Sequence, residues 1–229
     1  MKVDNLRCKD VIQNLQKQLK LQNVNIIFDA AEVVVQRLQI GGHIVFLNAI
    51  EDVSEREKYE KKPKDIQANY KTKSPAIHFP DLQIGELINV YQCGVGDTYK
   101  KTCNVINYIE TIIEMPIEIK FVYFLFLHEV GHWNQLMKMD RNVKLFMEAD
   151  MDVEKEIHEA QNLIMERVMR RNKVGSLVEK EITLTVDELQ KLNQLEIKYR
   201  NIPKELDADE YAKKILKEIN VEQTMQANN

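Results

Sequence analysis

The stretch "FLFLHEVGHWNQL", Phe124 to Leu136, reads as an apolar helix with two histidines and a glutamate in its interior. Burying His128, Glu129 and His132 without partners would be unfavourable, so something must compensate them, and a metal ion is the first candidate. His128 and His132 are four residues apart, which on a helix places both imidazoles on one face, one turn above the other, able to close on a single ion. Glu129 falls about 100° around the helix, within reach of an attacking water without being a ligand itself. With 5 histidines and 23 glutamates among 229 residues, an HExxH string arises by chance in roughly one such chain in a hundred, so its surroundings must carry the reading. They do: Ile117, Phe121, Phe124, Leu125, Val130, Trp133 and Leu136 fall around most of the circumference of a helix spanning about 117 to 139, which predicts a central, buried element.

Such a site needs a third protein ligand, and three candidates follow downstream: His158, Glu148 and Glu205. His158 lies in "EKEIHEAQNL", on what reads as the polar face of its helix. Glu148 opens "EADMD", with Asp152 four residues on. Glu205 opens "ELDADEYA", where Glu205, Asp209, Ala212 and Leu216 form one inward stripe. A carboxylate pair on an inward stripe needs a reason. Glu205 as ligand and Asp209 as acceptor of a ligating histidine's second ring N–H would supply one, so Glu205 ranks first and Glu148 second.

Around these segments the chain reads as α+β: mostly helical, with a small N-terminal sheet. Residues 5 to 21 read as an amphipathic helix capped by Asp4. "NVNIIFDAAEVVVQRLQIGGHIVFLNAI" suggests strands with a short helix between them, and "AIHF" (76–79) and "ELINVYQ" (86–92) suggest two further strands, either a candidate edge for an extended peptide. The charged run at 51–73 reads as a solvated loop or exposed helix. "NVINYIETIIEM" reads as a helix ending before Pro116, and Val143 to Arg171 as one long helix with Leu145, Phe146, Ile157, Leu163, Ile164 and Val168 inward. "TVDE" has the form of a capping box opening a helix near Val186, and a last helix runs from Pro203 to about Ile219 ahead of a frayed tail. One domain over 1–229, with about 140–200 as a helical insertion or lobe, is the expected organisation.

Composition excludes several classes. The 36 acidic and 32 basic residues, net charge −4, are spread along the chain without a basic stripe, so direct nucleic-acid binding is not expected. Cys8, Cys93 and Cys103 make an odd count without CxxC spacing, which fits reduced, structural thiols in the cytoplasm. The N-terminus lacks an apolar core of signal-peptide length, and "FVYFLFL" is too short to cross a bilayer; neither export nor a membrane partner is expected.

"HEVGHW" followed by "IPKELDADEYAKKIL" resembles the zinc metallopeptidases of the ImmA/IrrE type, which carry HExxH on one helix and a glutamate in an E-x-x-A-(N/D)-x-(F/Y)-A stretch on a later one. Glu205, Ala208, Asp209, Tyr211 and Ala212 match the second motif position by position. The chain is also similar to the broader gluzincin class. The resemblance implies a zincin-like fold, one Zn2+ per chain held by His128, His132 and Glu205, and Glu129 as general base. It covers about residues 117–139 and 202–216, and the separation of His132 from Glu205 is longer than the family usually shows. Members of the family cut intracellular regulators, often transcriptional repressors.

The leading expectation is therefore a soluble zinc-dependent endopeptidase acting on an intracellular protein or peptide. The alternatives are a non-catalytic zinc-containing regulator or interaction protein, against which Glu129 argues, and a zinc hydrolase of another amide. Tyr199, Tyr211 and His158 are candidate oxyanion donors, among which the sequence does not choose.

Overall fold

The computed structural model describes residues 2–39, 43–49, 75–93, 98–109, 115–173 and 185–219. Among them the protein is α+β, mostly helical with one three-stranded sheet. The chain divides into two compact units, Met1–Phe146 with Ala208–Asn229, and Met147–Asp207.

In the first unit a short 3-10 turn leads into helix α1 (Cys8–Gln18). This helix starts later than the periodicity suggests, and its N-cap is Arg7 rather than Asp4. Cys8, Val11, Ile12 and Leu15 form its buried face. Strand β1 (Ile26–Asp29), helix α2 (Ala31–Gln39) and strand β2 (Phe46–Asn48) follow in the strand–helix–strand order expected.

Strand β3 (Ala76–Pro80) is buried along its whole length because it is the middle strand. It pairs in parallel with β1 (Ile26 opposite Ile77, Phe28 opposite Phe79) and antiparallel with β2 (Phe46 opposite His78, Leu47 opposite Ile77). The "AIHF" segment is thus a central strand and offers no edge; among the described residues β1 and β2 are the edges. "ELINVYQ" is not a strand but part of helix α3 (Ile84–Cys93). Its buried Ile84, Leu87 and Ile88 and the packed Tyr91 recur at i, i+3, i+4 and i+7, a helical stripe that outweighs its β-branched composition.

Helix α4 (Thr98–Ile106) begins and ends earlier than the "NVINYIETIIEM" reading, and residues 110–114 of that segment lie outside the described residues, as does the charged run at 51–73. Helix α5 (Ile117–Lys138) follows Pro116, whose extended backbone marks the boundary. Phe121, Val122, Tyr123, Phe124, Phe126 and Leu127 on successive faces of α5 are all buried, and with Ile12, Leu15, Ile77 and Phe79 they make the core of this unit. Asp140 and Arg141, both with positive φ, end the run.

A buried polar cluster lies on the sheet. Asp29 accepts a hydrogen bond from Arg37 Nη1 and sits 3.0 Å from His78 Nδ1. Burial alone would raise the Asp29 carboxyl, but its hydrogen bonds with His78 and Arg37 outweigh that and hold it below the usual carboxylate value. The His78 ring stacks on Phe46 at 4.8 Å, and the Arg37 guanidinium lies 4.8 Å from the same ring, so these contacts fix the start of β2.

The single long helix expected over 143–171 is two helices, α6 (Val143–Glu148) and α7 (Met151–Lys173), broken at Asp150 with φ 63°. Phe146, Ile157 and Ile164 are buried as expected. Leu145 and Leu163 are exposed, each lying one residue, about 100°, around the helix from the buried Phe146 and Ile164. Within the second unit α7 packs with helix α8 (Val186–Arg200), whose capping box at Thr185 and Glu188 is formed. Helix α9 (Pro203–Glu218) runs unbroken through the boundary between the two chain ranges, so its turns from Ala208 onward belong to the first unit. There α9 crosses α5 at very short range: a Cβ built on Gly131 would stand 2.7 Å from the Ala208 Cα.

Candidate metal centre

Three side chains from α5 and α9 converge. His128, His132 and Glu205 each offer a ligand atom, and these atoms lie within 4.8 Å of one another; this is the metal-competent cluster found among the described residues. Neither His158 nor Glu148 belongs to it. The inward stripe on α9 is buried throughout, with Glu205, Asp209, Ala212 and Leu216 all nearly excluded from water.

The backs of both imidazoles are engaged. His128 Nδ1 lies 2.8 Å from Asp209 Oδ1, and His132 Nδ1 lies 2.9 Å from Gln135 Oε1. An ionised carboxylate only accepts, so the hydrogen on His128 resides at Nδ1; the amide oxygen imposes the same on His132. Both Nε2 atoms then present lone pairs, 3.1 Å apart, beside the Glu205 carboxylate. Two imidazole lone pairs and a carboxylate directed at one small space are a donor set that fits a metal ion. Phe124 and Phe146 flank the histidine rings at 6.4 and 6.3 Å between centroids.

Glu129 stands apart from the cluster. It is buried, and its Oε2 accepts a 2.7 Å hydrogen bond from the backbone N–H of Leu47. Leu47 lies on edge strand β2, and its N–H is directed at α5 rather than at β3, so the sheet edge lies along the HExxH helix.

Each candidate oxyanion donor has a neighbour of its own. Burial raises the Tyr211 hydroxyl, which is hydrogen-bonded to Asn134 while its ring packs on the core. His158 and Tyr199 contact each other, with ring centroids 6.3 Å apart, within the second unit. His158 is not part of the ligand cluster, and on α9 Tyr211 lies two residues, about 200°, around from Asp209.

Three contributors escaped the sequence reading. Gln135 had a signal, since it lies three residues from His132 on one helix face. Gly131 had one too: a glycine inside a helix costs about 1 kcal/mol relative to alanine, which points to a close approach. The Leu47 N–H had none, being a backbone group 82 residues from Glu129 in the chain.

No family model, curated protein or solved structure matches this chain. Among the described residues no helix is long and apolar enough to cross a membrane.

Proposed function

We propose that this protein is a zinc metallopeptidase, a gluzincin of the ImmA/IrrE type with a zincin-like fold, that cleaves an intracellular protein such as a transcriptional repressor. The observation that carries the reading is the division of labour around α5: His128, His132 and Glu205 converge, whereas Glu129, next in sequence to a ligand, is held outside the cluster by Leu47. A purely structural site has no use for a carboxylate kept in that place. The 3.1 Å between the two Nε2 atoms is close to the roughly 3.4 Å that two Zn–N bonds of about 2.05 Å subtend at a tetrahedral angle. That Cys8 and Cys103 are buried and not joined in disulfides supports an intracellular location.

Zinc held by these three residues would polarise the scissile carbonyl and acidify the attacking water. Glu129 takes the proton from that water and delivers it to the departing amine. Asp209 and Gln135 keep the two imidazoles oriented meanwhile, and Leu47 fixes one oxygen of Glu129 so that the other can accept.

The test combines elemental analysis with cleavage of a peptide library by the parent and by Glu129→Gln. The expected result is about one zinc per chain in both proteins and cleavage by the parent alone. A parent that neither carries nor takes up zinc would overturn the metal centre. Zinc with no cleavage of any peptide would favour a non-catalytic regulator or a hydrolase of another amide.

A further inference from the structure

We propose that Gln135 is a positioning residue of the metal centre, its side-chain carbonyl holding hydrogen on Nδ1 of His132 so that Nε2 is left as a ligand. The inference rests on the metal reading given above and extends it to a residue outside the HExxH and Glu205 motifs.

The need for such a residue follows from the geometry of the empty alternative. His128 and His132 face each other through Nε2 at 3.1 Å, an ordinary hydrogen-bond distance. Asp209 fixes His128 with its Nε2 lone pair turned towards His132. If His132 carried its hydrogen on Nε2, it would donate to His128, and the pair would close on itself. That arrangement occupies the His128 lone pair in an internal hydrogen bond and leaves His132 without a lone pair at Nε2. Against the pull of the Glu205 carboxylate beside Nε2, what keeps the hydrogen on the far side of the ring is the group facing Nδ1 of His132, since which ring nitrogen bears hydrogen is set by what each one meets.

That group is Gln135 Oε1, 2.9 Å away. His132 is 7% exposed, which leaves bulk water little part in the choice. Asp209 reaches His128 from another helix, but Gln135 lies three residues beyond His132 on α5, so this second orienting contact is built into the HExxH helix itself. It is therefore present whatever the position of α9.

The test uses the full chain with Gln135→Met, which keeps length and removes the acceptor, and Gln135→Glu, which keeps the acceptor. Two readouts are taken: the His132 tautomer by ring nitrogen resonances of the metal-free protein, and zinc affinity by competition with a chromophoric chelator. The parent and the Glu variant should show His132 with hydrogen on Nδ1, and the Met variant should move towards Nε2. Zinc binding should weaken about 10- to 100-fold in the Met variant and be kept in the Glu variant. Equal zinc affinity in the parent and the Met variant, or an equal loss in both variants, would overturn the proposal, the second outcome marking a merely structural role. A parent that takes up no zinc would overturn the metal reading and this role with it, and is told apart because the tautomer readout is taken without metal.

Discussion

Gly131→Ala is the sharpest test of how the centre is assembled, because helix propensity and tertiary geometry predict opposite signs. On propensity alone, alanine in place of a mid-helix glycine should stabilise the protein by about 1 kcal/mol. In the structure the new Cβ would stand 2.7 Å from the Ala208 Cα, 3.1 Å from its Cβ and 3.2 Å from its carbonyl oxygen. Non-bonded carbons rest about 3.5–4.0 Å apart, so α9 must retreat from α5 by about 1 Å at this point. Asp209 is the next residue, and the same displacement would stretch its 2.8 Å contact with His128 past hydrogen-bonding range. Glu205, one turn earlier on α9, would withdraw with it. Overpacking of this kind costs about 1–3 kcal/mol, so after the propensity gain the variant should lose up to about 2 kcal/mol. Its zinc affinity should fall by at least the 10- to 100-fold typical of a lost orienting contact. Thermal melting of the metal-free protein and chelator competition measure the two effects. Ala208→Gly should not rescue the variant, because the closest atom is the Ala208 Cα, which glycine keeps. A Gly131→Ala protein that melts higher than the parent and binds zinc equally well would refute the close approach as the determinant of the site.

Glu205→Ala should cost far more zinc affinity than Glu148→Ala, with Asp209→Ala intermediate, by the same chelator competition; a larger loss at Glu148 would move the third ligand to α6. In Glu129→Ala the Leu47 amide should lose its acceptor and exchange with solvent faster, while the amides that pair β2 with β3 keep their protection; an unchanged Leu47 rate would contradict the edge-strand contact. Asp29 has a folded pKa below its unfolded value near 3.9, so the stability it confers is present above that value and lost as pH falls through the lower folded one. The parent's unfolding free energy should therefore drop on acidification from pH 5 to 3. Asp29→Asn, which removes the carboxylate charge from its buried pair with Arg37, should lose about 3–5 kcal/mol at neutral pH and show a flatter acid limb in chemical denaturation.

The α+β class and the buried HExxH helix were legible in the sequence because their signals are local. Apolar residues all around 117–138 announce a helix with no solvent face, and Thr185 with Glu188 announces a cap, each needing only neighbours in the chain. The misreadings have local causes too. "ELINVYQ" has the composition of a strand, but its Ile84, Leu87, Ile88 and Tyr91 spacing is that of a helix face. The 143–171 segment carries one apolar pattern across Asp150, whose left-handed backbone cuts it in two.

What the sequence determined by itself is the chemistry on offer: two imidazoles one turn apart, a glutamate beside them, and a later carboxylate pair on an inward stripe. Periodicity carries that much because covalent connection fixes which side chains share a helix face. Only the tertiary structure decided that Glu205 rather than Glu148 or His158 meets the histidines, through the crossing of α5 and α9 at Gly131 and Ala208. It alone gave Glu129 its partner, a backbone N–H on a strand 82 residues away, because a backbone donor has no residue identity for a sequence pattern to record.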